Sequence, residues 1–290
     1  MEQIPVGIIG TGNIGSDLLM KILQSDQISC GIFAGRNKES KGISRAKELG
    51  VQTSYDSVYS IEQDPDCCEI VLDATSAISH LENVKILRKL GKTIIDLTPS
   101  KTGWMCVPAI NIEDAPEKKE INLITCGGQA SIPIAYEIRK ALPEVDYLEV
   151  ATSIASKSAG PGTRINLDEY IQTTQRGLEF FSGVDKAKAI ININPATPPI
   201  NMHNTIYAEN SGNYSIETLR KRVNEMVNKI QRYVPGYRLE LSPTYENERI
   251  TTIIEVIGRG DFLPKYAGNL DIMTCAALAV AEECAKKIRR

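Results

Sequence analysis

The chain has 290 residues, of which 42% are apolar and 24% are charged, and its formal net charge is −3 at pH 7. This length suits two domains of ordinary size, and the composition is typical of a folded globular protein rather than a disordered or fibrous one. The slight negative charge argues against general binding to nucleic acid, which needs a basic surface.

The sequence predicts a cytoplasmic protein with reduced thiols. It does not begin with a basic stretch followed by an apolar one, so we expect no secretory signal. The longest apolar stretch, residues 270–281, contains Asp271 and is too short to span a bilayer. The seven cysteines include no Cys-x-x-Cys pair, which argues against disulfides and against a metal site.

Strands and helices alternate in the first half of the chain. Short apolar runs predict strands at residues 5–9, 28–34, 69–74, 92–97 and 121–125. The spacing of apolar residues predicts helices at 14–23, 40–49 and 79–90, the last of them stopped by Gly91. Repeated β-α-β units of this kind predict an α/β fold with a Rossmann-type, doubly wound parallel sheet.

The first strand leads into a glycine-rich turn that predicts a dinucleotide site. The turn consists of Gly10, Thr11, Gly12, Asn13, Ile14 and Gly15, and it lies between a strand and a helix as the dinucleotide fingerprint requires. Gly10 permits the tight turn, Gly12 lets the backbone approach a pyrophosphate, and Gly15 lets helix and strand pack closely. The helix N-terminus offers N–H groups to the phosphates. The alternative, a glycine-rich turn without a ligand, leaves the agreement of spacing and context unexplained.

The residues after the second strand bear on the choice between NAD and NADP. An NAD-binding fold places an acidic residue here to bond the ribose 2′-hydroxyl, but this chain has Arg36, Asn37 and Lys38. Arg36 and Lys38 would suit the 2′-phosphate of NADP. Alternatively, Asn37 bonds the ribose and both cations are solvated. Use of NADP, alone or beside NAD, is therefore a hypothesis.

Cys126 stands between the predicted strand 121–125 and a helix, which predicts a catalytic thiol. A helix N-terminus favours the thiolate, and Gly127 and Gly128 leave space and backbone N–H groups for a substrate carbonyl. The alternative is a buried core thiol like the other six cysteines. Addition of a thiolate to an aldehyde and hydride transfer to a nicotinamide would leave an acyl thioester, which a second thiol or water would release.

Beyond about residue 130 the chain changes to longer strands with fewer helices. Strands are predicted at 147–156, 187–193 and 250–256, and helices at 167–181, 215–233 and 269–288. Long strands with few helices predict an antiparallel or mixed sheet covered on one face. We therefore expect an α+β catalytic and dimerisation domain at 131–266, beside a dinucleotide-binding domain formed by 1–130 and 267–290.

Two features of the second half stay ambiguous at this level. Residues 158–163 form an unusual loop of small residues before a helix, which is either a surface turn or a loop that lies against a planar cofactor ring. The aromatic and apolar residues Tyr170, Phe180 and Ile193 line either a pocket or a core.

Six motifs together resemble those of one known family. They are residues 10–15, 73–76 (Asp-Ala-Thr-Ser), 96–99 (Asp-Leu-Thr-Pro), 125–130, 156–164 and 266–274. Over nearly its whole length the chain resembles the acylating acetaldehyde dehydrogenases of aromatic hydrocarbon catabolism. The resemblance implies oxidation of acetaldehyde, or another short aldehyde, by NAD and coenzyme A to acyl-CoA. It also implies a homodimer and a complex with 4-hydroxy-2-oxovalerate aldolase, which passes on its aldehyde.

The same resemblance assigns roles to single residues. It implies that Cys126 is the nucleophile that carries the acyl thioester. It further implies that the nucleotide contacts are Thr11, Gly12, Asn13, Ile14, Ser158, Ala159, Gly160, Pro161, Gly162, Thr163, Arg164, Asn166 and Asn269. Two other readings stay open, a semialdehyde-type dehydrogenase that uses phosphate and a weakly active or non-catalytic homologue.

The chain departs from the family at two places. The acidic residue expected near Asn37 is missing, and the family's aspartate, thought to act as a base, is replaced by Asn204, whose amide cannot accept a proton. We therefore hypothesise that His203 is a substitute base, since imidazole titrates near neutral pH. The alternative is a solvated surface histidine. The only other histidine, His80, is expected to order the dinucleotide loop.

Overall fold

The computed structural model of the chain describes residues 3–209 and 215–289. The predictions that touched residues 1–2 and Arg290 lie outside these ranges. The chain forms two compact units, the first made of residues 1–123, 261–263 and 273–290, the second of residues 124–260 and 264–272. Cys126 therefore falls within the second unit.

The first unit is built on a seven-stranded parallel sheet. The strands are β1 (Ile4–Ile9), β2 (Ile28–Ala34), β3 (Thr53–Ser54), β4 (Ile70–Asp73), β5 (Thr93–Asp96), β6 (Trp104–Met105) and β7 (Glu120–Asn122), in the order β3-β2-β1-β4-β5-β7-β6. The helices are α1 (Asn13–Ile22), α2 (Lys41–Glu48), α3 (Tyr59–Gln63), α4 (Ala77–Lys89) and α5 (Pro108–Asn111), with 3-10 turns at Pro65–Cys67 and Ile112–Glu117. This architecture confirms the predicted Rossmann-type sheet.

Apolar runs explain why these strands lie in the middle of the unit. Strand β4 is buried along its whole length, as expected when helices cover both faces of a parallel sheet. On one side Val71 and Ile94 pack with Val84 and Leu87 of α4 in a single core cluster. The spacing of the two α4 residues places them on one face of the helix.

The second unit contains a mixed five-stranded sheet. Its strands are β8 (Tyr147–Ala155), β9 (Lys186–Asn194), β10 (Met202–Glu209), β11 (Tyr237–Glu246) and β12 (Arg249–Val256), in the order β11-β12-β10-β8-β9. Strands β8 and β9 are parallel, and the other neighbours are antiparallel. The helices are α6 (Cys126–Ala141), α7 (Pro161–Ile165), α8 (Leu167–Ser182) and α9 (Ile216–Gln231), with a 3-10 turn at Ser156–Ser158. Helix α10 (Gly268–Ile288) begins in this unit and continues in the first from Met273.

One face of the five-stranded sheet is covered by α6, α8 and α9, as predicted for a sheet of this type. Residues of β10 alternate accordingly, with Asn204 and Ile206 buried and His203 and Thr205 half-buried. Because successive side chains of a strand point to opposite faces, His203 and Asn204 face opposite sides of the sheet. We call the side opposite the three helices the open face.

Two predictions from composition can be compared with the structure. Within the described ranges, none of the seven cysteines forms a disulfide. No helix in the same ranges is both long enough and apolar enough to cross a lipid bilayer.

Candidate active site

Cys126 is the first residue of α6, and Thr125 is the N-cap of this helix. The Thr125 hydroxyl accepts a hydrogen bond from the Gly128 N–H at 2.9 Å and lies 2.7 Å from the Thr174 hydroxyl of α8. This cap holds the first turn so that the N–H groups of Cys126 and Gly127 donate to the thiol sulfur. Such N–H groups have no partner within the helix itself.

The backbone just before the nucleophile is bent into an uncommon conformation. Ile124 has φ 64°, which a β-branched residue rarely adopts. Gly128 and Gly177 leave room for its side chain, since a Cβ on either would lie 3.0 or 3.1 Å from Ile124 Cγ2. Strain of this kind costs about 1–3 kcal/mol and clusters at functional sites. Here the bend sets the direction in which Thr125 and Cys126 enter α6.

Three polar side chains converge on the first turn of α6. The Cys126 thiol donates to the Tyr170 hydroxyl with Sγ and Oη 3.8 Å apart, and the Thr152 hydroxyl also hydrogen-bonds to Tyr170. Asn204 Nδ2 donates to the Gly127 carbonyl at 3.1 Å. Tyr170, Thr152 and Asn204 are all buried.

Gly127 is required by this packing. A Cβ at this position would lie 2.1 Å from Tyr170 Oη and 2.6 Å from Thr152 Oγ1. The space that the missing side chain leaves is therefore filled by Tyr170 and Thr152. This corrects the expectation that Gly127 keeps this space free for a substrate carbonyl.

The Cys126 thiol is protonated at neutral pH. Burial raises its pKa to about 11, and the hydrogen bonds with Tyr170 and with the backbone N–H groups lower the pKa by less. The backbone N–H groups at the helix N-terminus favour the thiolate, as expected, but burial outweighs them. Burial raises the pKa of Cys30 and Cys284 further, to about 12. Cys126 ionises more readily than these two thiols, but its proton needs an acceptor during the reaction.

The structure separates the two residues considered for the role of the base. Asn204 points towards the first turn of α6, and its buried Oδ1 has no hydrogen-bond partner among the described residues. His203 lies on the open face, with Nδ1 3.1 Å from the Asn201 carbonyl and Nε2 3.8 Å from Glu255 Oε1. The sheet thus lies between the imidazole and the thiol, which corrects the hypothesis that His203 acts as the base.

His203 belongs to an ionic group on the open face. Its ligand atom and those of Glu240 and Glu255 lie within 4.8 Å of one another, close enough to hold a divalent cation. Exposed acidic groups of this kind are common without a metal, and a cation there would not touch Cys126. We therefore assign no metal site to these residues.

In the first unit, the glycine-rich turn has the geometry of a phosphate-binding loop. Gly10 has φ 105°, and a Cβ there would lie 2.5 Å from the Ala74 carbonyl oxygen, while one on Gly15 would lie 1.8 Å from the Gly10 oxygen. These two glycines are required by the packing of the protein itself. A Cβ on Gly12 would meet nothing within 4 Å, so the space beside it is open to a ligand. Helix α1 begins at Asn13 without a side-chain cap.

Thr11 joins this turn to the segment that follows β2. The Ser40 hydroxyl lies 3.1 Å from the Thr11 carbonyl oxygen and 2.9 Å from its hydroxyl, and donates to both. A Cβ on Gly35 would lie 2.6 Å from Thr11 Oγ1. The side chain of Thr11 is therefore held in place by the protein.

The segment predicted to meet the ribose is exposed. Arg36, Asn37 and Lys38 all lie on the surface. Asn37 Oδ1 accepts a hydrogen bond from the Glu39 N–H at 2.9 Å, and Lys38 Nζ lies 5.9 Å from the centroid of the Tyr55 ring. Because the Asn37 carbonyl is already engaged, it is a weaker candidate to accept a ribose hydroxyl than the free carboxylate of an NAD-type site.

His80 is buried in a group of carboxylates at the ends of the central strands. Its Nδ1 lies 3.0 Å from Asp73 Oδ2, and its Nε2 lies 3.4 Å from Asp96 Oδ2 and 3.7 Å from Glu120 Oε1. Asp73 also accepts from the Thr75 N–H at 3.0 Å. Asp73 thereby holds the loop whose Ala74 packs against Gly10, which agrees with the expectation that His80 orders the dinucleotide loop.

The loop after β8 and the start of α10 meet within the second unit. Asn269 Nδ2 donates to the Ser158 carbonyl at 3.4 Å, and its buried Oδ1 has no hydrogen-bond partner among the described residues. Arg164 donates to Ala159 and Ser156, so its guanidinium stabilises this loop. Five further residues were predicted to contact the nucleotide. A Cβ on Gly160 would meet nothing within 4 Å. Helix α7 contains Pro161, Gly162 and Thr163, and Asn166 is the N-cap of α8.

Tyr170, Thr152 and Ile124 belong to the site but carried no prediction of a role. Tyr170 was left between pocket and core, and the structure places its hydroxyl beside Cys126. Phe180, the second residue left open in this way, is exposed on α8. The signal that could have identified Tyr170 is the row of polar residues Thr173 and Thr174 on the buried side of α8, where a helix normally presents apolar residues.

Comparison with known proteins gives one consistent result. The family described as "Prokaryotic acetaldehyde dehydrogenase, dimerisation" matches residues 126–264. An acetaldehyde dehydrogenase from Pectobacterium atrosepticum is 53% identical to this chain over 283 residues, which is 97% of this chain and 95% of the relative. Acetaldehyde dehydrogenases from Geobacillus stearothermophilus and Spirochaeta aurantia are 47% and 48% identical, over 99% and 98% of this chain and 97% and 96% of each relative.

Proposed function

Because this chain belongs to the acetaldehyde dehydrogenase family, we propose that it oxidises acetaldehyde, or a similarly short aldehyde, with NAD(P) and coenzyme A to acyl-CoA. The membership itself makes the protein an enzyme that oxidises aldehydes. The observation that carries the finer proposal is the position of Cys126, a half-buried thiol at a capped helix N-terminus that receives hydrogen bonds from two backbone N–H groups.

The described residues fit a nicotinamide dinucleotide. In the first unit, the space beside Gly12 and the uncapped N-terminus of α1 would take the pyrophosphate. Asn269 of the second unit, which the family resemblance gives as a nucleotide contact, has a buried Oδ1 without a hydrogen-bond partner among the described residues, and its Nδ2 donates to the Ser158 carbonyl. When bound, the dinucleotide supplies the acceptor for the hydride that the aldehyde loses.

The thiol of Cys126 would carry the acyl group. Its sulfur adds to the aldehyde carbon to give a thiohemiacetal, and loss of hydride from this carbon together with loss of the hydroxyl proton to solvent leaves a thioester on Cys126. The N–H groups of Cys126 and Gly127 lie beside the sulfur, where they would stabilise negative charge on the substrate oxygen. The coenzyme A thiol then takes the acyl group and returns the Cys126 sulfur to the free enzyme.

Detection of the thioester tests this proposal. The wild-type protein is incubated with acetaldehyde and oxidised dinucleotide without an acceptor, and its intact mass is measured. We expect an added acetyl group that digestion locates on Cys126, and no such group on Cys126→Ser. Coenzyme A should remove the group and yield acetyl-CoA, whereas phosphate should not. Release by phosphate would favour a semialdehyde-type reaction, and absence of any adduct would favour a non-catalytic homologue.

We further propose that the chain accepts NADP. Residues 35–38, which directly follow β2, include no acid, the Asn37 side-chain carbonyl accepts a hydrogen bond from the Glu39 N–H, and Arg36 and Lys38 are exposed. The comparison is kcat/KM for NADP and for NAD in the wild type and in Arg36→Ala. The variant should lose roughly tenfold with NADP, as expected for a charge-assisted hydrogen bond, and little with NAD. A strong preference of the wild type for NAD would contradict the proposal.

We also propose that the open face of the five-stranded sheet is the contact surface of a homodimer. Leu241, Ile253, Thr205, Ala151 and Ile190 are cross-strand neighbours and form one row across all five strands. Ile190 is 38% exposed, and the other four are half-buried. The part of the chain that matches the dimerisation family contains all five strands. A second copy of this chain is therefore the partner that suits this row.

The complex with 4-hydroxy-2-oxovalerate aldolase follows from the family resemblance alone. Co-expression with such an aldolase and co-purification on a tag carried by one partner would test it. Recovery of the tagged enzyme without the aldolase would contradict the complex.

A further inference from the structure

We propose that Tyr170 is a second catalytic residue, whose hydroxyl passes the Cys126 proton to the aldehyde oxygen as the carbon–sulfur bond forms. This inference rests on the proposed function and concerns its first step. It explains how the thiol can be activated although Asn204 stands where a base was expected and His203 lies on the other side of the sheet.

The hydrogen bonds of Tyr170 suit a relay. Its oxygen accepts from the Cys126 thiol, with Sγ and Oη 3.8 Å apart, and it also interacts with the Thr152 hydroxyl. A phenol oxygen has two lone pairs and one hydrogen. The Cys126 thiol, the Thr152 hydroxyl and the Gly127 N–H share these two lone pairs, so the hydrogen of Tyr170 itself is left for another acceptor.

The tyrosine is held firmly in this position. Tyr170 is 6% exposed, and its hydroxyl occupies the space beside Gly127 that a Cβ would otherwise fill. Its backbone carbonyl accepts a hydrogen bond from Thr174, whose hydroxyl meets the N-cap Thr125. The same two threonines thus tie Tyr170 to the turn that presents Cys126.

The protonation states of Cys126 and Tyr170 favour proton transfer between two neutral groups. Burial raises the pKa of Cys126 to about 11, and burial likewise raises the pKa of Tyr170. Both groups are therefore protonated at neutral pH. A tyrosinate base would be costly to form here, whereas a relay leaves Tyr170 neutral before and after the step.

The step balances without any further reactant. The S–H bond of Cys126 breaks while its sulfur bonds to the aldehyde carbon. Tyr170 Oη accepts this proton and gives its own hydrogen to the aldehyde oxygen, so the product is a neutral thiohemiacetal. Tyr170 ends the step protonated, as it began, which is general acid–base catalysis by one hydroxyl.

The substitution Tyr170→Phe tests the relay because it keeps the buried ring and removes only the hydroxyl. The acyl group on Cys126 is followed by rapid quenching and intact mass, with aldehyde and dinucleotide present and no coenzyme A. We expect its rate of formation to fall on the order of 100-fold or more. Alkylation of Cys126 at a series of pH values should also show a higher thiol pKa, because a hydrogen bond that lowers the pKa is lost.

The chain offers a matched control and a second variant. Tyr237 is also fully buried in this unit, and its hydroxyl donates to the Ala130 carbonyl of α6 at 2.6 Å. Tyr237→Phe should lose stability but keep the rate of acylation. Thr152→Val, which leaves Tyr170 in place, should slow acylation about tenfold through the loss of one hydrogen bond. This variant also tests the relay if Tyr170→Phe does not fold.

The outcomes separate the two proposals. Acylation of Tyr170→Phe at the wild-type rate would overturn the relay and leave the proposed function intact. Equal loss in Tyr170→Phe and Tyr237→Phe would overturn it as well, since general damage would explain both. A wild-type protein that forms no acyl group would overturn the proposed function and the relay together.

Discussion

His203 and Asn204 are neighbours in the sequence, yet one side chain faces the open side of the sheet and the other faces Cys126. At this scale the alternation of a strand decides which residue can act on the nucleophile. A titratable ring on the wrong face cannot take a proton from the thiol, however suitable its ordinary pKa.

We therefore expect His203→Ala to leave the pH dependence of acyl formation on Cys126 unchanged. The imidazole of His203 contacts Asn201 and Glu255 on the open face, so removing the ring should not change the surroundings of the Cys126 thiol. Rates of acylation between about pH 6 and about pH 8 would show this, since imidazole titrates in this range. A pH dependence of acylation that differs between the variant and the wild type would restore His203 as the base.

Single residues differed in how well the sequence could predict them. The glycine turn and Cys126 were recognisable because their chemistry depends on local spacing along the chain. Tyr170 was not, because its contact with Cys126 joins residues 44 positions apart in the sequence through the packing of α8 on α6. Ile124 could not be identified either, because isoleucine rarely adopts a positive φ and the sequence gives no sign of one here.

The elements of the first unit were largely predictable, whereas β10 and β11 were missed. Buried apolar runs identify parallel strands directly. Strand β10 carries Asn204 and Ala208 on its buried face, so its alternation of polar and apolar residues is weak. Strand β11 contains Pro243, which normally argues against a strand. In both cases pairing with β12 outweighs the local preference of the sequence.

Thr125, the N-cap of α6, is expected to affect both the stability of this helix and the reactivity of Cys126. In Thr125→Ala the Gly128 N–H loses its acceptor, so we expect about 1 kcal/mol lower free energy of unfolding. Acylation should also slow, because the first turn then holds Cys126 less firmly. Ser215→Ala is the matched control, since Ser215 caps α9 through the Thr218 N–H. It should affect stability alone, and equal slowing of both variants would contradict the link.

At the ends of β4 and β5, the charge of the cluster around His80 and Asp96 depends on pH. Burial opposes the charge of His80, but its hydrogen bond to Asp73 and the charges of Asp96, Asp73 and Glu120 raise its pKa overall. Burial raises the pKa of Asp96 to about 6, against the nearby His80 charge that lowers it. Both groups hold protons more tightly in the folded chain than in the unfolded chain.

The sign of the pH dependence follows from these shifts. Stability from a raised pKa is complete below the unfolded value and is lost as pH rises through the folded value. For Asp96 the loss runs from about 4 to about 6, and for His80 it begins near 6.5. We expect the melting temperature of the first unit to fall from about pH 6 to about pH 8, and to fall less in His80→Gln. His203→Gln is the control, because His203 lies in the second unit. A slope unchanged in His80→Gln would rule out this role of the cluster.

At the scale of the whole molecule, the open face of the five-stranded sheet is the surface proposed for contact with a second copy. Its central row is apolar at Leu241, Ile253 and Ile190, and side chains on either side of the row are charged, such as Lys188 and Glu255. An apolar row with a polar rim is the usual anatomy of a protein–protein contact. A second copy of the chain would cover this row from all five strands.

We expect Ile253→Arg to convert the dimer to a monomer, because a charge in the middle of the row would be buried without a partner at the contact. Sedimentation velocity measures the state of the wild type and the variant at matched concentrations. Ile78→Arg is the matched control, since Ile78 is 77% exposed on α4 and lies outside the residues that match the dimerisation family. This variant should stay dimeric. A monomeric wild type, or an Ile253→Arg that remains dimeric with an unchanged melting temperature, would place the contact elsewhere or remove it.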